Sequence, residues 1–186
     1  VTEQNMPSIE EARRDADCLC STAQVEQALQ GMAQAVTGRL QAANPLCLSV
    51  LTGGIILTGQ LLPLLDFPLQ LDSIHASRYR GTTRGGELQW KKYPDTELRG
   101  QTVLLIDDIL DEGLTLRALV DYCQAQGVKE VLTAVLAEKQ GARHSDGLAQ
   151  ADFTGLHIPN RYVFGYGLDY HKYWRNARGI YAVKGF

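Results

Sequence analysis

Four carboxylates crowd one short segment, Asp107-Asp108-Ile109-Leu110-Asp111-Glu112, immediately after the apolar run Val103-Leu104-Leu105-Ile106. A continuous apolar run of this kind reads as a strand buried on both faces. Residues 115–126 carry Leu116, Leu119, Val120 and Cys123 at helical spacing and read as the helix that follows. Acids at the carboxyl end of such a strand stand at the edge where open α/β sheets bind ligands. Adjacent like charges are unfavourable unless cations or donors compensate them, and the turn from Asp111 to Thr115 offers backbone N–H groups at a helix N-terminus, an anion site. A carboxylate pair beside an anion cradle suits a ligand that carries both hydroxyls and phosphates. The plainer alternative is a solvated acidic turn in which Asp111 or Thr115 caps the helix.

Such a site needs a sheet beneath it. Residues 46–51 form a short apolar run ending at Thr52-Gly53-Gly54, and residues 55–65 can form a helix before Pro68. Residues 69–79 alternate imperfectly and predict a strand, with residues 87–90 returning as the second arm of a long hairpin. Between those arms, Arg80-Gly81-Thr82-Thr83-Arg84-Gly85-Gly86 holds no apolar anchor, so mobility is expected there. Residues 102–106, the helix over 115–126 and residues 131–137 give strand, helix, strand, hence a right-handed crossover and a parallel sheet. Residues 153–158, 163–164 and 180–183 supply further short strands. At the other end, residues 8–42 read as helical, with Val25, Leu29, Met32, Val36 and Leu40 on one face and Ser21 with Gln24 as a capping box.

The whole chain of 186 residues fits one α/β domain, spanning 1–186. Its composition, 45% hydrophobic and 21% charged, excludes wholesale disorder and fibrous repeats. A formal charge of -3 gives no bulk attraction for nucleic acid or anionic lipid, so neither is expected as a partner. No apolar run approaches the roughly 20 residues that span a bilayer. The acidic start, Glu3, Glu10 and Glu11, does not resemble a signal peptide, and a cytoplasmic location is expected. Cys18, Cys20, Cys47 and Cys123 show no paired C-x-x-C spacing, and on a helix Cys18 and Cys20 would face about 200° apart. The histidines, His75, His144, His157 and His171, show no mutual ligand spacing.

The apolar strand ending in two acids and followed by D-x-G-x-T resembles the phosphoribosyl-pyrophosphate (PRPP) signature of the purine phosphoribosyltransferases. Gly165-Tyr166-Gly167-Leu168-Asp169-Tyr170, followed by Tyr173-Trp174-Arg175, is similar to the C-terminal segment of the hypoxanthine-guanine branch. The resemblance runs from Leu46 to about Val183. It implies a type I phosphoribosyltransferase-like α/β fold: a central, mostly parallel sheet flanked by helices, with a small hood to which residues 1–42 contribute, and a flexible lid over 78–88. It implies a purine salvage enzyme that moves the 5-phosphoribosyl group from PRPP to hypoxanthine or guanine with Mg²⁺ as cofactor, in a homodimer or homotetramer.

The resemblance also implies roles. Asp107 and Asp108 lie beside the ribose hydroxyls and the Mg²⁺ shell, and Asp169 holds a second Mg²⁺. The loop Asp111, Glu112, Gly113, Leu114 and Thr115 holds the 5′-phosphate through backbone N–H groups and the Thr115 hydroxyl; Glu112 is given no chemistry of its own. Asp111 is the general base near purine N7. Lys139 donates to the 6-oxo group, Tyr162 stacks on the base, and the Val163 backbone reads the purine edge. Arg175, with Thr52 and Gly53, meets the pyrophosphate.

Two departures stand out. Thr52-Gly53-Gly54 lacks the lysine that often precedes the pyrophosphate-loop glycines, so backbone amides must carry more. The lid's usual Ser-Tyr pair is replaced by Arg78-Tyr79, followed by the basic Arg80 and Arg84. Competing readings are weaker. A receiver-type fold needs about 120 residues from its acidic strand, and only 85 remain from Thr102 onward. A PRPP-sensing regulator of the same fold is disfavoured by the intact Asp111 and Lys139 and the absence of a basic helix. A xanthine-preferring enzyme remains the near alternative.

Overall fold

The apolar run that precedes the acids lies at the heart of a six-stranded sheet. The computed structural model describes residues 6–78 and 88–186. In chain order the elements are α1 (Ile9–Arg14), β1 (Asp17–Cys20), α2 (Thr22–Leu40), β2 (Leu46–Val50), α3 (Gly54–Leu61) with a 3₁₀ turn (Leu62–Leu64), β3 (Gln70–Arg78) and β4 (Leu88–Lys92). They continue as β5 (Thr102–Leu110), α4 (Leu114–Ala125), β6 (Glu130–Lys139), β7 (Phe153–Ile158), β8 (Val163–Phe164) and β9 (Ile180–Ala182). The main sheet has the order β4-β3-β2-β5-β6-β7, and a small sheet has the order β1-β9-β8. Every neighbour in the main sheet is parallel except β4, which returns antiparallel on β3 as a hairpin arm.

Burial explains the unbroken apolarity of β2 and β5. Leu46 and Leu48, with Val103 and Leu105, face a cluster closed by α4 through Leu116, Leu119, Val120 and Cys123. Cys47, Leu104 and Ile106 face the opposite cluster, closed by α2 and α3 through Val25, Leu29, Val36, Leu57 and Leu61. Both faces are covered, so alternation has no reason to appear. The parallel register aligns the carboxyl ends of β2, β5 and β6 at one edge, with the last β5–β6 pair at Leu110 and Glu138.

The uninterrupted helix expected over residues 8–42 is corrected. Ser8 with Glu11 and Ser21 with Gln24 each form a capping box, so two helices start here. Between them β1 pairs antiparallel with β9, and a bulge between Cys18 and Cys20 leaves Cys18 exposed and Cys20 buried. The helical angle expected between these thiols therefore does not apply. All four cysteines are free; burial pushes Cys47 up to about 12 and Cys123 up to about 11, which keeps both thiols neutral. Within the N-terminal segment, α1 packs against the small sheet through Ile9 and Ala12, whereas α2 lies over the main sheet beside β7. Among the described residues no helix is long and apolar enough to cross a membrane.

Candidate active site

At the carboxyl edge of β2, β5 and β6 opens a cavity of about 910 Å³. Asp107 to Thr115, Lys139, Tyr162, Val163, Asp169, Arg175 and Gly53 all line it. The structure thus gathers residues that lie more than one hundred positions apart in the chain. Thr52 is not among the lining residues, although its neighbours Leu51 and Gly53 are. The Leu51–Thr52 peptide is cis. Tyr79, Arg80 and Arg84, and the side chain of Arg78, lie outside the described residues.

The loop after β5 is built around Gly113, which caps α4 with φ +81° and carries no side-chain cap. A Cβ at that position would meet the Leu148 carbonyl oxygen at 2.6 Å and its nitrogen at 2.8 Å, so backbone packing as well as the left-handed conformation selects glycine. Thr115 lies inside the helix and Asp111 outside it, so neither is the cap that the plainer reading required. The first amides of α4 therefore meet the cavity without an internal side-chain acceptor, the arrangement that binds an anion. Behind the loop, the His144 N–H donates to the Glu112 carbonyl and the Leu148 N–H to the Gly113 carbonyl, both at 3.0 Å.

Asp107 and Asp108 sit where β5 runs into the cavity. Burial first, and then the neighbouring Asp108 charge, pushes Asp107 well above the usual carboxylate range. Burial also raises Asp108, opposed by a hydrogen bond with Asp107 and by the Arg175 guanidinium. Arg175 lies 3.7 Å from Asp108, pairs with Asp169, and donates to the Gly167 carbonyl. Gly53 fits because a Cβ there would collide with the Asp108 carboxylate, and Gly167 packs in turn on the Gly53 carbonyl. Close backbone approach, rather than a lysine side chain, builds this corner.

On the other side of the loop, Lys139 Nζ lies 2.7 Å from Asp111 Oδ2, with the lysine side chain only 11% exposed. Tyr162 presents its ring edge-on to Tyr170 at 5.4 Å and lies nearly parallel to His171 at 6.4 Å. Among the described residues no group of three or more His, Cys, Asp or Glu side chains is arranged to hold a metal by itself. Asp107, Asp108 and Asp169 could serve only an ion that takes most of its ligands elsewhere.

Three neighbours escaped the sequence reading. Asn160 and Ala142 also line the cavity, and Arg143, which does not line it, donates to backbone carbonyls of both flanking strand ends. A side chain whose partners are carbonyl oxygens leaves no trace in residue types or spacing.

A phosphoribosyl transferase domain model matches residues 17–171. The chain is 32% identical over 167 residues to a hypoxanthine-guanine phosphoribosyltransferase of Bacillus subtilis, covering 89% of this chain and 92% of that one. It is 33% identical over 161 residues to a hypoxanthine-guanine-xanthine phosphoribosyltransferase of Tritrichomonas foetus, covering 86% and 87%. A crystal structure of a hypoxanthine phosphoribosyltransferase from Staphylococcus aureus superimposes with a TM-score of 0.86 at 28% identity, covering 98% of this chain and 97% of that chain. An acid pair ending a buried strand, an uncapped helix N-terminus beside it and agreement over nearly the whole chain lead to one assignment: the protein belongs to the phosphoribosyltransferase family, in its hypoxanthine-guanine branch.

Proposed function

We propose that the protein transfers the 5-phosphoribosyl group of PRPP to a 6-oxopurine, hypoxanthine or guanine, giving IMP or GMP and pyrophosphate. The observation that carries this reading is the Lys139–Asp111 pair, 2.7 Å apart beside the helix N-terminus. A 6-oxopurine presents O6 and N7 side by side, an acceptor beside a donor when N7 is protonated. The lysine can donate to O6 while the carboxylate accepts from N7, so the base exchanges one charged pair for two complementary contacts.

N9 then attacks the anomeric carbon as the bond to pyrophosphate breaks, with its electron pair leaving on the pyrophosphate oxygen. Asp111 takes the N7 proton, which leaves a neutral glycosylated purine. The amides of residues 111–115 and the Thr115 hydroxyl hold the 5′-phosphate, and Arg175 with the Gly53 backbone meets the leaving pyrophosphate. Tyr162 and the Val163 backbone bound the base, and positioning of the two reactants supplies much of the rate.

Mg²⁺ suits this donor set. It is commonly held by one or two carboxylates together with substrate phosphates and water, so Asp107, Asp108 and Asp169 need not form a cage. The cation would neutralise charge on the leaving pyrophosphate. A self-associated dimer or tetramer in the cytoplasm completes the reading, and sedimentation velocity measures its assembly.

Pyrophosphate release in the presence of PRPP and Mg²⁺, with each base supplied separately, tests the proposal. Hypoxanthine and guanine should support release; adenine should not, because its 6-amino group opposes a donor to Lys139. The name of the Tritrichomonas foetus relative favours a xanthine arm in the same assay. No release with any 6-oxopurine would overturn the reading.

A further inference from the structure

We infer that Arg143 is a positioning residue that fixes the separation of Asp111 and Lys139, an inference that rests on the purine-transfer reading above. Arg143 follows Lys139 by four residues, in the loop that leaves β6. Its Nη1 donates to the Leu110 carbonyl at 2.9 Å and to the Asp111 carbonyl. Its Nη2 donates to Glu138 Oε1 at 2.8 Å and to the Lys139 carbonyl at 3.3 Å, and its Nε to the Ala149 carbonyl at 3.1 Å. All five guanidinium N–H donors are thereby engaged. The second oxygen of Glu138 accepts from the Thr154 hydroxyl at 2.9 Å, which anchors the ion pair to β7.

The position of this guanidinium gives it a particular task. The β5–β6 ladder ends at the pair Leu110 and Glu138, so Asp111 and Lys139 each stand one residue beyond the last rung. Beyond that rung β5 and β6 pair no further: Lys139 is still held by β7 through its pairing with Ile158, whereas Asp111 lies past the end of β5. Arg143 spans that gap by binding the carbonyls of Leu110 and Asp111 on one side and of Lys139 on the other. A planar fork can hold several carbonyls at fixed angles, whereas a lysine offers a point charge on a flexible stem. Arg143 is not among the residues that line the cavity, and its side chain is 19% exposed. It therefore acts on a bound base only through Asp111 and Lys139.

The test pairs kinetics with a double-mutant cycle in the full chain. Arg143→Met should lower kcat/KM for hypoxanthine by about 10- to 100-fold, the scale expected when reacting groups shift by about 1 Å. Arg143→Lys should recover only part of that loss. In an Asp111→Asn background the Arg143→Met cost should shrink to less than about threefold, because the Asp111–Lys139 separation it fixes no longer serves an acting carboxylate. Equal cost in both backgrounds, or activity of Arg143→Met equal to wild type, would overturn the inference. Should Arg143→Met fail to fold, Arg143→Lys gives the same reading, and its equality with wild type is the overturning result. Hydrogen exchange of the 111–115 amides in the ligand-free proteins is independent of activity. Exchange should be faster in the variants, and unchanged protection also counts against positioning. A wild-type chain that fails to release pyrophosphate with any 6-oxopurine instead defeats the transfer reading, and exchange alone then decides whether Arg143 orders the loop.

Discussion

Asp111 and Asp107 stand four residues apart and face opposite electrostatic problems. Asp111 is partly open to the cavity and already paired with Lys139. Replacing it with Asn should lower turnover by about 10² to 10⁴-fold, the usual contribution of a positioned base, while PRPP still binds to the loop amides. Steady-state rates beside calorimetric PRPP binding check this, and unchanged turnover would remove Asp111 from its role. Asp107 instead carries a charge that burial and Asp108 disfavour, so its folded pKa lies above its unfolded one. The native state then binds the proton more tightly, and the stability this gives is greatest below the ordinary carboxylate pKa of about 3.9. It declines as pH rises from there through the folded pKa. In metal-free protein, Asp107→Asn should therefore raise Tm near neutral pH and have little effect near pH 4, each kcal/mol relieved being worth about 2 to 4 °C. A Tm gain that does not grow with pH would sink this account. The acid pair is readable from sequence because charge at the end of an apolar strand is conspicuous, whereas Lys139 and Arg175 stand out only through the resemblance. Thr52, which the resemblance assigns to pyrophosphate, is not among the residues that line the cavity, whereas Gly53 packs closely on the Asp108 carboxylate.

Elements repeat the lesson at longer range. Patterns that arise from burial, such as β5, α4 and β6, are visible in sequence, and their order alone dictates the parallel crossover. β1 is hidden, because only three of its four residues pair with a strand about 160 positions away, and flanking helical spacing masks them. Local periodicity cannot register a partner so distant. Another non-local tie holds the start of β3. Asp72 accepts from the amides of Asp95 at 2.8 Å and Thr96 at 2.9 Å and pairs with Lys92 at 3.2 Å. Those bonds outweigh the cost of its burial and hold its carboxyl far below the usual range. A lowered folded pKa contributes stability that is full above the unfolded value of about 3.9 and is lost as pH falls toward the folded one. Asp72→Ala should cost about 1.5 to 3 kcal/mol at neutral pH, the scale of hydrogen bonds to a charged group. Urea denaturation measures it, and the deficit should narrow in acid; a cost independent of pH would contradict the assignment.

Across the whole molecule, the segment that carries Asp169 and Arg175 is fastened from the far end of the chain. The Tyr170 hydroxyl donates to the Pro7 carbonyl at 2.6 Å and the Trp174 indole N–H to the Ile9 carbonyl at 2.7 Å. Arg13 lies 4.1 Å above the Tyr181 ring, and Ala12 is buried with Phe164, Tyr170 and Val183. The backbone between these anchors is irregular, with His171, Lys172 and Trp174 all at positive φ. Such a segment keeps its shape only while its surroundings over-determine it. Trp174→Phe keeps the aromatic packing and removes the indole N–H that donates to the Ile9 carbonyl. It should cost about 1 kcal/mol, or roughly 2 to 4 °C in Tm. Deleting residues 1–15 removes both carbonyl acceptors and the apolar cover together, so the loss should be larger. It should also reach the site, because Asp169 and Arg175 share that segment with Tyr170 and Trp174. In the reverse reaction, the KM for pyrophosphate should rise more than the KM for the nucleotide, whose phosphate the proposed function assigns to the 111–115 loop. A truncated protein that melts earlier yet retains the original pyrophosphate KM would show that the N-terminal segment stabilises the fold without ordering the pyrophosphate side.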